Sequence, residues 1–387
     1  MASKEEDEQE KTIAEDVVVT KYQTAAEVTN KALKAIIAKC VAGASVRELC
    51  KAGDACMEEE LAKVYRKDKN LKKGIAFPTC VAVNHCIGHY SPLNSDPDTT
   101  LADGDLVKID LGSHVDGFPA VVAHSLVVGA GKENKVTGRK ADVLLAAHYA
   151  FEAALRLTKP GQENYTVTDM VTKIASEFKT KPIEGMLSHQ LKQNVINGEK
   201  TIIQNPNEGQ RKEHEKCDFE KHEVYGLDVL ISTGEGTARE LDARTTVYKK
   251  TDEVYSLKMK TSREFLSQVN KKCGTMPFNL RIMDDEKKAK LGVVECVNHR
   301  LIEPFQVLYE KPDQLVAQFK STILLMPNGT RKITGVPFDP ETCQSEHSIQ
   351  DEDAKSLLAT PLDKKSANKK KKKASGAAPQ AVPVSKD

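Results

Sequence analysis

Tryptophan is absent from the 387 residues, and aromatic side chains make up only 5% of the chain. Its basic segments therefore lack the interleaved rings on which single-stranded bases stack. The nine cysteines form no C-x-x-C pair and show no zinc-ligand spacing, which excludes the common small zinc modules. With no apolar signal segment at the start, they read as reduced thiols of a cytosolic or nuclear protein. No run approaches the roughly 18 apolar residues of a membrane span, so no membrane insertion is expected. There is no phosphate loop of the G-x-x-x-x-G-K-S/T type; Gly234-Glu235-Gly236 reads as a turn after a strand.

One more absence bears on metal chemistry. Val107 to Gly112 reads as a strand carrying Asp110, and Phe118 to His124 as its return strand. A two-metal hydrolase needs a second carboxylate facing the first. With the turn centred between Val115 and Asp116, Asp110 faces Val121. Centred on Asp116-Gly117, the commoner hairpin pair, it faces Ala123. No position from Phe118 to His124 is acidic in either register.

What is present fits a soluble globular protein with solvated ends: 39% hydrophobic, 29% charged, net charge +1. The small net charge hides an asymmetry. Glu5, Glu6, Asp7, Glu8 and Glu10 crowd the start, whereas Lys364, Lys365 and the run Lys369, Lys370, Lys371, Lys372, Lys373 crowd the end. An acidic disordered head and a polycationic tail are expected.

Periodicity predicts helices over about Ala25–Cys40 and from a Ser45 cap to about Tyr65. Strands follow near Cys80–Asn84, Leu106–Gly112 and Phe118–Val128. The pattern then repeats, with helices at Ala141–Leu157 and Thr166–Phe178, the latter capped by Thr166 or Thr168. Strands return at Ile183–His189, Glu223–Ser232 and Val316–Met326. Two helix–helix–strand units predict a pseudo-symmetric α+β body. Between the last two strands, about residues 251–313, helices at Ser262–Cys273 and Asp284–Val297 and a hairpin over Gln306–Phe319 predict a small winged-helix-like insert. Order is expected to fade after about Gly335.

Several motifs now fall in a recognisable order. Phe77-Pro78-Thr79, His85-Cys86-Ile87-Gly88-His89-Tyr90, Lys108-Ile109-Asp110, Leu187-Ser188-His189, Gly226-Leu227-Asp228 and Ala317-Gln318-Phe319 occur as in type 2 methionine aminopeptidases. The chain resembles more closely their non-peptidase relatives, the proliferation-associated or ErbB-receptor-binding family. The likeness is carried by Gly185 to Gln193, Gly198 to Pro206 and Leu257 to Arg263, and runs from about Thr12 to Pro337. It implies a pita-bread fold over residues 13–337, preceded by a head (1–12) and followed by an extension (338–387).

The resemblance also implies a set of cleft positions. Asp110 and His189 keep peptidase metal-ligand types. Val121 stands where a second Asp would be, Asp228 where a Glu would be, and Lys320 where a bridging Glu would be. His89 matches a substrate-contacting His, and Asn197 stands where another would be. An ammonium in place of a carboxylate shifts the charge by two units against metal, at about 4 kcal/mol per like-charge unit at 4 Å and an effective dielectric of 20. The expectation is a degenerate, non-catalytic cleft with no cofactor, in which Lys320 pairs with Asp110 or Asp228.

Three basic clusters remain: Lys63, Arg66, Lys67, Lys69, Lys72 and Lys73; then Lys249, Lys250, Lys258, Lys260, Arg263, Lys271 and Lys272; then the tail. Without stacking rings, they point to the backbone and shape of structured RNA. The resemblance implies rRNA of the large ribosomal subunit near the exit of the peptide tunnel, with roles in ribosome biogenesis, translation and growth. The alternative is a protein-interaction scaffold or transcriptional co-regulator using the degenerate cleft; a residual metal aminopeptidase is the third reading. The family's L-x-x-L-L motif is altered here to Ala354-Lys355-Ser356-Leu357-Leu358.

Overall fold

A computed structural model describes residues 10–362. Helix α1 (Asp16–Lys39) buries Ala25, Val28, Ala32 and Ile36, spaced three or four apart, and begins well before the predicted start. Helix α2 (Val46–Lys63) begins at Ser45, whose hydroxyl accepts from the Glu48 N–H as the sequence suggested. These two cover one half of the central sheet, while α3 (Gly138–Leu157) and α4 (Asn164–Glu177) cover the other. Helix α4 starts ahead of both predicted caps. The Asn164 amide ties its first turn to the carbonyls of Thr201 and Glu215, and the Thr168 hydroxyl is spent on the Ile203 carbonyl at 2.6 Å.

The path through the central sheet uses β1 (Lys73–Val83), β2 (Leu106–Val115), β3 (Phe118–Val127), β4 (Leu187–Gln190), β5 (Thr201–Ile203), β6 (Val224–Ser232) and β7 (Val316–Met326), in the spatial order β1-β2-β3-β7-β6-β4-β5. Period-two alternation divides its faces. Val107, Ile109 and Leu111 of β2 pack with α1 and α2; Leu227, Val229 and Ile231 of β6 and Ala317, Phe319 and Ile323 of β7 pack with α3 and α4. The intervening residues, including Asp110, Asp228 and Lys320, face the opposite side.

Asp116 (φ 53°) and Gly117 (φ 77°) form the β2–β3 turn, both in the left-handed region that this hairpin requires. This chooses between the two registers: Asp110 pairs with Ala123, and Val121 sits opposite Gly112.

The insert holds α5 (Lys260–Lys272) and α6 (Glu286–Asn298) against a three-stranded sheet of Val247–Lys250, Phe278–Asn279 and Ile302–Phe305. The hairpin expected over Gln306–Phe319 does not form. Leu308–Tyr309 pairs with Cys86–Gly88 and Arg239–Glu240, and Val316 enters β7, whose nearly continuous burial belongs in the central sheet.

Order also extends past Gly335. Cys343–Gln344 pairs in parallel with Val136–Thr137, and α7 (Glu352–Ala359) lies on α3 with Ala354 fully buried. Hydrogen bonds from Ser345 to Asp142 (2.5 Å) and from the Asp351 N–H to Glu177 (2.8 Å), with the Lys173–Asp351 ion pair (2.6 Å), fasten this strap. The head up to residue 9 and the tail lysines Lys364, Lys365 and Lys369–Lys373 lie outside the described residues.

Candidate functional site: a cleft with an ammonium at its floor

Four strands place Asp110, Ala123, Lys320 and Asp228 in one transverse row, since Asp110 pairs with Ala123, Ala123 with Lys320 and Lys320 with Asp228. Directly opposed residues project to the same face. The methyl side chain of Ala123 leaves room for Lys320 to reach two strands across. Its Nζ lies 2.8 Å from Asp110 Oδ2 and 3.2 Å from Asp228 Oδ2, and 5.3 Å from the centre of the Phe77 ring. The Gln318 amide, on the same face two residues earlier, donates to both Asp228 oxygens at 2.9 and 3.1 Å.

The electrostatics follow from burial and from this pairing. Burial pushes the Asp110 carboxyl up to about 6, with Lys320 opposing the shift and Asp228 adding to it. Burial disfavours the Lys320 ammonium, but the two carboxylates outweigh it and hold the group protonated well above the ordinary lysine range. The imidazoles of His89 and His189 are shifted down, chiefly by burial. His89 Nδ1 lies 2.9 Å from the Gln306 carbonyl, whereas His189 Nδ1 and Asp110 Oδ1 are buried with no hydrogen-bond partner among the described residues.

His89, Val121, His189, Asn197, Asp228 and Lys320 line one cavity of about 350 Å³. Asp110 lies beneath it, bonded to Lys320. The structure thus brings all the sequence-derived cleft positions together. Sequence reasoning placed Ala123 opposite Asp110 in one of two registers, but gave Gln318 no role and missed Glu303 and Phe305 of the insert, which form part of the cavity wall. The alternation of β7 could have placed Gln318 beside Lys320; nothing local marks Glu303.

These residues do not fit a pair of divalent cations. The space between the two carboxylates holds an ammonium, the Asp228 oxygens are engaged by an amide, and the position diagonal to Asp110 is the apolar Val121. Among the described residues, no three His, Cys, Asp or Glu side chains gather as a ligand set.

The sequence profile of metallopeptidase family M24 matches residues 20–220. Proliferation-associated protein A of Dictyostelium discoideum is 45% identical over 92% of each chain. The chain belongs to the proliferation-associated branch of metallopeptidase family M24. ErbB-3 binding protein 1 of Arabidopsis thaliana is likewise 45% identical, over 96% of this chain and 93% of its own. The solved structure of a thermophilic Arx1 superposes with a TM-score of 0.85 at 34% identity, covering 90% of this chain and 99% of its own. The M24 pita-bread architecture thus agrees with the expected fold.

The basic clusters of this M24 chain are unequal. Arg66, Lys67, Lys69 and Lys72 are exposed, whereas Lys63 pairs with Glu60 at 2.5 Å and the Lys73 ammonium bonds the Val64 carbonyl. In the insert Lys249 and Lys250 are half-buried, and Lys258, Lys260 and Lys271 are exposed. Arg263 is clamped: its Nη1 donates to the Leu257 and Lys258 carbonyls at 2.9 and 2.8 Å. Lys272 is held by Asp284 and the Ile282 carbonyl. Lys73 and Lys272, one residue from each of the first two clusters, lie on the walls of one groove of about 780 Å³ between α2 and the insert, together with Asp54 and Glu58.

Proposed function

We propose that this chain is a non-catalytic member of its family that binds structured RNA and the large ribosomal subunit near the peptide-tunnel exit. The roles that follow are in ribosome biogenesis, translation and growth regulation, in the cytoplasm and the nucleus or nucleolus. The observation that carries the non-catalytic half is the Lys320 ammonium between Asp110 and Asp228. A hydrolytic metal pair cannot share that space with a fixed cation.

The binding half is supported by the exposed cations of the two basic clusters, Arg66, Lys67, Lys69 and Lys72 in one and Lys258, Lys260 and Lys271 in the other, and by the family resemblance. Each lysine that neutralises a phosphate contributes about −0.9 to the slope of log affinity against log salt on duplex targets. The test is a salt titration of large-subunit binding for the wild type, a Lys258→Ala/Lys260→Ala/Lys271→Ala variant and a deletion after Pro361. Arg263 is left intact because its guanidinium clamps backbone. Flattening by roughly one unit per lost contact supports the reading; identical slopes and affinities for all three chains would overturn it.

A scaffold reading is favoured by one observation, the retained cavity of about 350 Å³ with Phe77, Leu187, Leu191 and Phe305 on its walls. A relative named for binding ErbB-3 fits protein partners of that kind, in growth signalling or transcription. Identical slopes and affinities for the three chains in the salt titration would favour it.

A further inference from the structure

Eight large hydrophobic side chains are exposed among the described residues, and five of them lie on the insert: Val254 (94% exposed), Tyr255, Met259, Leu291 (63%) and Val294 (53%). Contacts within the insert gather them. The Glu295 carboxylate of α6 accepts from the Lys258 and Met259 N–H groups at 2.8 and 3.2 Å, which lays the Val254–Met259 segment along the helix. Tyr255 stacks on His299 just past its end, with ring centres 3.6 Å apart. Lys287, Leu291 and Val294 follow at spacings of four and three, one stripe of α6 turned to solvent. The inner stripe, Ala289, Gly292, Val293 and Cys296, is buried.

Cations frame the apolar stripe. Lys287, Lys288 and Arg300 are exposed, and among the described residues none has a carboxylate within salt-bridge distance; the exposed Asp252 and Glu253 precede Val254 in the loop segment. A phosphate backbone would use these charges and leave the apolar side chains without a complement. A second copy across a two-fold axis would set this lysine-framed patch against the same cationic patch. A partner with apolar residues at helical spacing and acidic residues beside them satisfies both parts of the surface.

We propose that the outer stripe of α6, together with the Val254–Met259 segment, is a docking surface for an acidic, amphipathic segment of another protein. This goes beyond the RNA reading and is separable from it, because the residues that test it carry no charge.

The test selects a random peptide library on the full chain, then measures the selected peptides against the wild type and a Leu291→Ser/Val294→Ser variant. Both side chains are already in solvent, so the variant should keep the wild-type unfolding midpoint. The expected peptides carry apolar residues three or four apart beside Asp or Glu, and the variant binds them roughly tenfold or more weakly. Its affinity for a hairpin RNA, and the salt slope of that affinity, should be unchanged. Peptides without this pattern, or equal binding to both chains, would overturn the proposal. So would a variant that loses RNA affinity instead, or a wild-type dimer that the variant abolishes, which would assign the face to RNA or to self-association.

Discussion

Lys320 is largely buried, with 16% of its side chain exposed, and makes both of its ion pairs to carboxylates that are themselves buried. Removing it leaves two carboxylates in a closed floor with no counter-charge. Lys320→Ala should therefore destabilise the fold by about 3–5 kcal/mol, read as a shift of the denaturant midpoint at unchanged slope. Retention of wild-type stability would mean that the pair is solvated. The residues on both sides of this bond were legible in the sequence, because Asp110 and Lys320 sit in motifs whose order carries the family resemblance. The reach across Ala123 was not, because the hairpin admitted two registers until its turn was fixed. Histidines supply a second residue-scale expectation. Burial holds His114, His124 and His148 down, each to about 4 from the ordinary 6.5. A depressed imidazole stabilises the fold above its unfolded pKa and gives up that stability as pH falls through the folded value. Stability should thus drop between pH 6.5 and 4, by up to about 1.4 kcal/mol per pH unit for each histidine. Urea midpoints measured across that window check it; a flat profile would contradict it.

At the scale of elements, the helices were the most legible because their periodic stripes are long. The β7 strand was legible as apolar sequence, but its neighbour was misread: Gln306–Tyr309 carries turn residues after it and looked like one arm of a hairpin. Its partners, Cys86–Gly88 and Arg239–Glu240, are distant in sequence, so no local pattern revealed them. Over the strap from Phe338 to Ala359 the sequence predicts fading order, because the segment is polar and short of periodic apolar residues. It is fixed instead by bonds to Asp142, Glu177 and Lys173 and by the burial of Ala354 against α3. Leu357 and Leu358 of the altered leucine motif also pack on that core, so a partner can dock on them only after α7 lifts. Ala354→Glu should place an unpaired charge in an apolar contact and release α7. Limited proteolysis should then cut near residues 350–360 much faster than in the wild type, with the rest of the chain intact. Equal cutting rates would show that α7 is not held by this contact.

For the whole molecule, the pita-bread body, the insert and the cleft combine a metallopeptidase frame with a floor that carries its own cation. The central claim is that this floor excludes a pair of divalent metal ions. Elemental analysis of the full chain, purified without chelator and dialysed against excess Mn²⁺ and then metal-free buffer, tests it most directly. The account predicts well under one metal ion per chain; two tightly retained ions per chain would contradict it.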